Sequence, residues 1–97
     1  MVLRPDASHM FQNYDKTTTL DVSNIDTLNV TNMLNMFCNA TITNMVGLDK
    51  FDTSKVISMS DMFNNCKATI GYARTQKDAN KFNASGNKPS TLTFKVK

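Results

Sequence analysis

Met-Phe pairs return at a fixed interval along this chain: Met10-Phe11, Met36-Phe37 and Met62-Phe63 are evenly spaced. The register holds between these anchors. At the same interval Ile25-Asp26-Thr27 falls on Phe51-Asp52-Thr53, Val30 on Val56, Met33 on Met59 and Asn39 on Asn65. A period of this length marks a solenoid, whose units cannot bury an apolar face alone and therefore stack. With 97 residues there is room for one such domain and not for two. The period divides it into an N-terminal cap or partial repeat over 1–19, repeats over 20–45 and 46–71, and a C-terminal cap over 72–97.

Within a unit the apolar positions change period. Leu20 and Val22 alternate around Asp21, and Val46 and Leu48 around Gly47, as in short strands. Asp26-Thr27 and Asp52-Thr53 follow, residue types whose side chains accept from nearby backbone N–H groups and close turns. Val30, Met33, Met36 and Phe37 then recur at three- and four-residue steps, as do Val56, Met59, Met62 and Phe63. That spacing predicts a short helix with its apolar face towards the inter-repeat core. The expected fold class is α/β: a short leucine-rich-repeat-like solenoid with parallel strands on one face and short helices on the other. Thr19, Asp21 and Ser23 would then point outward from one strand, and Met45, Gly47 and Asp49 from the next. The Met stripe reads as core, with a Met-rich binding groove as the alternative.

The ends break the pattern, as capping units do. Pro5 reads as the start of a turn leading to Met10-Phe11. Thr75-Gln76-Lys77-Asp78 reads as a helix N-cap with a carboxylate three residues on, and Ala79 and Phe82 share one face of that helix. Ser85-Gly86-Asn87-Lys88-Pro89 ends it. Thr91 to Lys97 alternates as an edge strand blunted by Lys. Charge is divided unequally: residues 1–66 carry four cations against seven Asp, and residues 67–97 carry seven against Asp78 alone. Arg74, Lys77, Lys81, Lys88, Lys95 and Lys97 therefore form a basic end, either a solvated cap or a surface for an anionic partner.

These residues resemble a known repeat family. Leu20-Asp21-Val22-Ser23-Asn24-Ile25-Asp26-Thr27 through Met36-Phe37, and Phe51-Asp52-Thr53-Ser54-Lys55-Val56 through Cys66, are similar to the repeat of BspA-like leucine-rich-repeat surface proteins of bacteria. The segment from Gly71 to Asn83, with Pro89 and Leu92-Thr93-Phe94, resembles the unit that closes many such arrays, and Arg4-Pro5 the segment that opens them. Cys66 matches the family's Cys after Met-Phe, while Tyr14 and Ala40 occupy the equivalent places. The resemblance implies a scaffold for adhesion or protein binding and no catalytic residues.

Several chemistries find no support. Cys38 and Cys66 are spaced out of step with the repeat, and no Cys-x-x-Cys or His pair accompanies them. Two buried reduced thiols are the first expectation and a disulfide between neighbouring repeats the second. His9 has no orienting third group beside a nucleophile, and three glycines make no phosphate loop. No metal or cofactor is therefore expected, and no enzyme. No apolar run approaches the ~20 residues of a membrane span, and Met1-Val2-Leu3-Arg4-Pro5-Asp6 lacks the apolar core of a secretory signal. A cell-surface or secreted location is expected if the chain belongs to a longer array, and a cytoplasmic one if it is complete. The expected function is non-enzymatic protein binding through Thr19, Asp21, Ser23, Met45 and Asp49. The alternative is a small intracellular inhibitor, of the kind a mobile element carries, docking on a nucleic-acid enzyme or on nucleic acid through the basic end. The oligomeric state is left open.

Overall fold

Residues that tolerate a positive φ set the local geometry of each unit. His9, Asn35, Asp61 and Asn87 lie at φ 63, 56, 58 and 62°, and Asn13, Asn39 and Asn65 at 60, 59 and 57°. Both series keep the Met-Phe interval, and Asn, Asp and His are the side chains that enter this left-handed region most readily. In the computed structural model, which describes residues 1–97, they close chains of β-turns. Met10 N–H donates to the Ala7 carbonyl, Gln12 to His9 and Tyr14 to Phe11, and the same three steps recur from Met33 to Ala40 and from Met59 to Cys66. The intervening N–H groups turn sideways to the next unit. His9, Phe11 and Asn13 donate to Leu34, Met36 and Cys38, and Met33, Asn35, Phe37 and Asn39 to Ser58, Ser60, Met62 and Asn64, at 2.8–3.1 Å.

The short helices expected over Val30–Phe37 and Val56–Phe63 are therefore replaced by turn chains. A helix needs each N–H bonded four residues back, and here those of Met33, Asn35 and Phe37, and that of Asp61 in the later stretch, are bonded to the neighbouring unit instead. The apolar spacing still delivers its side chains inward: Met33, Met36, Phe37, Met62 and Phe63 are fully buried. Phe11, Phe37 and Phe63 stack nearly parallel, with ring centroids 5.5 and 5.7 Å apart. The first Met-Phe pair differs, because Met10 is 39% exposed and Phe11 half-buried at the end of the stack.

The Asp-Thr pairs divide their work. Asp26 accepts from Leu28 N–H at 3.0 Å and Asp52 from Ser54 N–H at 2.9 Å, so both close local turns. Thr27 is buried and works between units instead: its hydroxyl donates to the Asp52 carbonyl at 3.2 Å and accepts from Asp52 N–H at 2.9 Å.

Four short strands complete the architecture: β1 (Thr19–Asp21), β2 (Asn44–Val46), β3 (Ile70–Ala73) and β4 (Thr93–Val96), with one helix, α1 (Gln76–Asn83), and a 3-10 turn at Leu48–Lys50. β1 pairs with β2 in parallel and β3 with β4 in parallel, which gives two open two-stranded sheets. Leu20 pairs with Met45, one place short of Val46, where the repeat interval would put it. Gly47 absorbs the missing step at φ 100°, where a Cβ would stand 2.3 Å from Ser23 N.

The C-terminal cap follows the sequence closely. Thr75 caps α1 by accepting from Asp78 N–H at 3.2 Å, and Ala79 and Phe82 face the core. Asp78 departs from a simple capping box and sends its carboxylate to Thr53 in the preceding unit, accepting from its N–H at 2.9 Å and its hydroxyl at 2.5 Å. The outer edge of β4 is covered by an amide as well as by Lys: Asn83 donates to the Phe94 carbonyl and accepts from Phe94 N–H, both at 2.9 Å. At the other end Pro5 occupies the place of Thr31 and Ile57, whose N–H groups each donate to the preceding unit at 2.8 Å. Proline has no N–H to leave unpaired there.

Candidate functional site

The outward side of the strands combines exposure with few internal partners. Thr19 and Asp21 are exposed on β1, and Ser23 is half-buried just beyond it. Hydrogen bonds from the Ser23 hydroxyl and N–H hold the Asp21 carboxyl below the usual carboxylate range. Asp49 is half-buried in the 3-10 turn. Met45 does not belong to this face. It is 9% exposed and joins the core, while Val46 points outward at 39%. The one-place shift of the pairing exchanges the two faces of β2, and Gly47, read as an outward position, is buried against the Ser23 backbone.

Two outward residues escaped the sequence reading. Ile70 is 57% exposed and Tyr72 half-buried on β3, while Gly71 and Ala73 between and after them are buried. The alternation Ile70-Gly71-Tyr72-Ala73 carries that signal, and Gly71 is the inward small residue because a Cβ there would meet the Phe94 ring at 2.2 Å. A cleft of about 390 Å³ opens beside these residues, lined by Val46, Gly47, Asp49, Ile70, Tyr72 and Lys97 among others.

The basic residues do not form one free patch. Arg74 bridges Asp52 and Asp78, each at 3.2 Å. Lys81 donates to the carbonyls of Thr53 at 2.6 Å and Val56 at 3.3 Å, and Lys88 to those of Pro89 and Leu92. These three tie the cap down. Lys77 is exposed on α1. Lys95 and Lys97 lie over the Tyr72 ring at 5.8 and 5.7 Å from its centroid, beside the strand face.

Cys38 and Cys66 are buried and unpaired. Burial pushes both thiols up, with the Asp61 charge adding to the effect at Cys38. His, Cys, Asp and Glu side chains nowhere gather in threes, and no helix is long and apolar enough to cross a membrane.

What the fold and surface define is a small α/β protein of short parallel strands, turn chains and one capping helix, with no closed sheet. The chain belongs to the family described as Mycoplasma protein of unknown function, DUF285, which matches residues 5–95. No curated protein and no solved structure matches it.

Proposed function

We propose that this chain is a non-enzymatic protein-binding module, built as a short leucine-rich-repeat-like solenoid of the BspA-like kind. The hydrogen bonds between turn chains support the solenoid reading, since they recur at one constant spacing, from His9 with Leu34 through Asp61 with Gly86. The observation that carries the binding reading is the outward strand face, where Thr19, Asp21, Val46 and Ile70 are exposed together. The basic end offers less support for docking on nucleic acid, because Arg74, Lys81 and Lys88 are engaged within the chain.

Affinity enrichment from the source cells tests the reading, with the wild-type domain set against a Thr19→Arg/Asp21→Arg variant whose circular dichroism is unchanged. A protein captured by the first and lost by the second is the expected result. If both domains capture the same proteins, the β1 face is not the contact. Capture that disappears on raising salt from about 50 to 300 mM in both would point instead to the basic residues.

A further inference from the structure

The first and last strands of the stack are finished differently. Asn83 occupies the outer edge of β4 through both main-chain groups of Phe94. β1 has no such cover. Its ladder with β2 uses the peptide groups of one side, with the Thr18 carbonyl accepting from Asn44 N–H and Val22 N–H donating to Val46. By the alternation of a parallel ladder, the N–H and carbonyl groups of Thr19 and Asp21 face the opposite way. No strand pairs with that side, and both residues are exposed. The Thr17 hydroxyl donates to the Thr19 carbonyl, which keeps a second lone pair. Burial agrees with an open edge: Leu20 points inward from β1 and is only half-buried, whereas its counterparts Met45, Gly71 and Phe94 are buried.

We propose that the open edge of β1 pairs with the same edge of a second copy, giving a two-fold dimer. This goes beyond the protein-binding reading above and does not depend on it. An uncovered strand edge is a template for another strand, and β1 complements itself. Antiparallel pairing about Leu20 sets Thr19 against Asp21 of the second copy, and each such pair exchanges both its N–H···O bonds. On the outward face the Thr19 hydroxyl then stands opposite the Asp21 carboxylate, while the two carboxylates are kept from facing each other directly. On the inward face Leu20 meets Leu20 and covers what one copy leaves half-buried. Head-to-tail growth is closed off at the far end of the stack. There Asn83 covers β4, and Pro89 stands in the place of Phe11 and Phe37, whose N–H groups reach the next unit. Proline has no N–H to offer, so only like ends can meet and the assembly closes at two.

Sedimentation velocity on the whole chain reads the assembly, and so small an interface should be half-associated at about 10–300 µM. Amide exchange followed by NMR reads the edge without altering the chain. The Thr19 and Asp21 N–H groups should exchange freely in dilute protein and become protected several-fold as concentration rises. Thr19→Pro removes an N–H that no bond within the chain uses, a change that an edge strand tolerates. It should leave circular dichroism unchanged and weaken the dimer by about tenfold or more. A chain that stays monomeric up to about 1 mM, beyond the range of a weak specific interface, would overturn the proposal. So would a dimer whose Thr19 and Asp21 amides stay unprotected, or one indifferent to Thr19→Pro, because another surface would then hold it. A monomer from which Thr19→Pro removes the capture of some other protein would also overturn it, and would leave the protein-binding reading standing.

Discussion

Replacing Asp78 by Ala removes the acceptor that joins the last repeat to its cap. The carboxylate accepts from Thr53 N–H at 2.9 Å, the Thr53 hydroxyl at 2.5 Å and the Thr75 hydroxyl at 2.5 Å, and it meets Arg74 at 3.2 Å. Asp78 is 2% exposed and Thr53 1%, so water cannot take over. A buried N–H left without a partner costs about 1–3 kcal/mol, and a lost hydroxyl bond adds about 1. Loss of a carboxylate from the first helical turn adds about 0.5 kcal/mol. Relief of the carboxylate's own desolvation offsets part of this, and a net loss of about 3 kcal/mol is expected, at the lower end for breaking a buried pair. Against a total of about 5–15 kcal/mol that is a large share, and it corresponds to a fall of at least about 12 °C in Tm. Urea unfolding followed by far-UV circular dichroism at neutral pH measures it. Thr53→Val and the double variant complete a cycle whose coupling should exceed about 0.5 kcal/mol. A loss below about 1 kcal/mol, or strict additivity, would refute the tether. The pH dependence is a second check. Burial pushes the Asp78 carboxyl up, but the bonds from Thr53 and Thr75, with Arg74 beside them, outweigh it and hold the group below its ordinary value. The associated stability is therefore fully present above the unfolded-state value of about 3.9 and is lost as pH falls through the lower folded value. The gap between wild type and Asp78→Asn should shrink over that acid range.

The phenylalanine stack should lose stability unevenly. Phe37→Ala, fully buried between two rings, should cost about 3–5 kcal/mol in urea unfolding, and Phe11→Ala, half-buried at the end, about half as much or less; equal losses would show that the end ring is as enclosed as the middle one. Asn39 is exposed at φ 59°, so Asn39→Gly should change stability by less than about 0.5 kcal/mol and Asn39→Val should cost about 1–2. Both variants lack the amide that accepts from Asn65 at 3.1 Å, so a thermal melt showing no difference between them would remove the backbone argument.

Much of this architecture was legible because repetition is visible in a single sequence. The Met-Phe register placed Met36, Phe37, Met62 and Phe63 in the core, and Thr75 with Asp78 placed the start of α1. The turn chains were misread as helices for a physical reason. Apolar steps of three and four residues satisfy a helical face and a run of β-turns alike, and only the residues between them decide. Asn13, Asn39 and Asn65 were that signal: polar residues tolerant of positive φ, returning in step with the Met-Phe pairs. Met45 was misplaced because the strand pairing sets it, rather than Val46, opposite Leu20, and Gly47 takes up the difference. Side-chain alternation alone does not reveal such a slip. The basic end was visible as a count but not as chemistry. Whether a Lys head reaches solvent or a carbonyl is decided by the carbonyls that the fold brings to it, as those of Thr53 and Val56 are brought to Lys81.

Because His9, Asn35, Asp61 and Asn87 repeat at one fixed interval, the chain can change length gracefully only in certain ways. A single insertion between Ala7 and Asn13, or at the matching place in a later unit, throws that unit's left-handed positions out of step with its neighbour and turns its sideways N–H groups from their carbonyls. The strand segment, where Gly47 already absorbs a slip, is more forgiving. A whole repeat interval gained or lost would keep the turn-chain hydrogen bonds in phase. The spacing of the turn chain thus sets which changes of length its hydrogen bonds can accommodate: whole intervals, and not single residues.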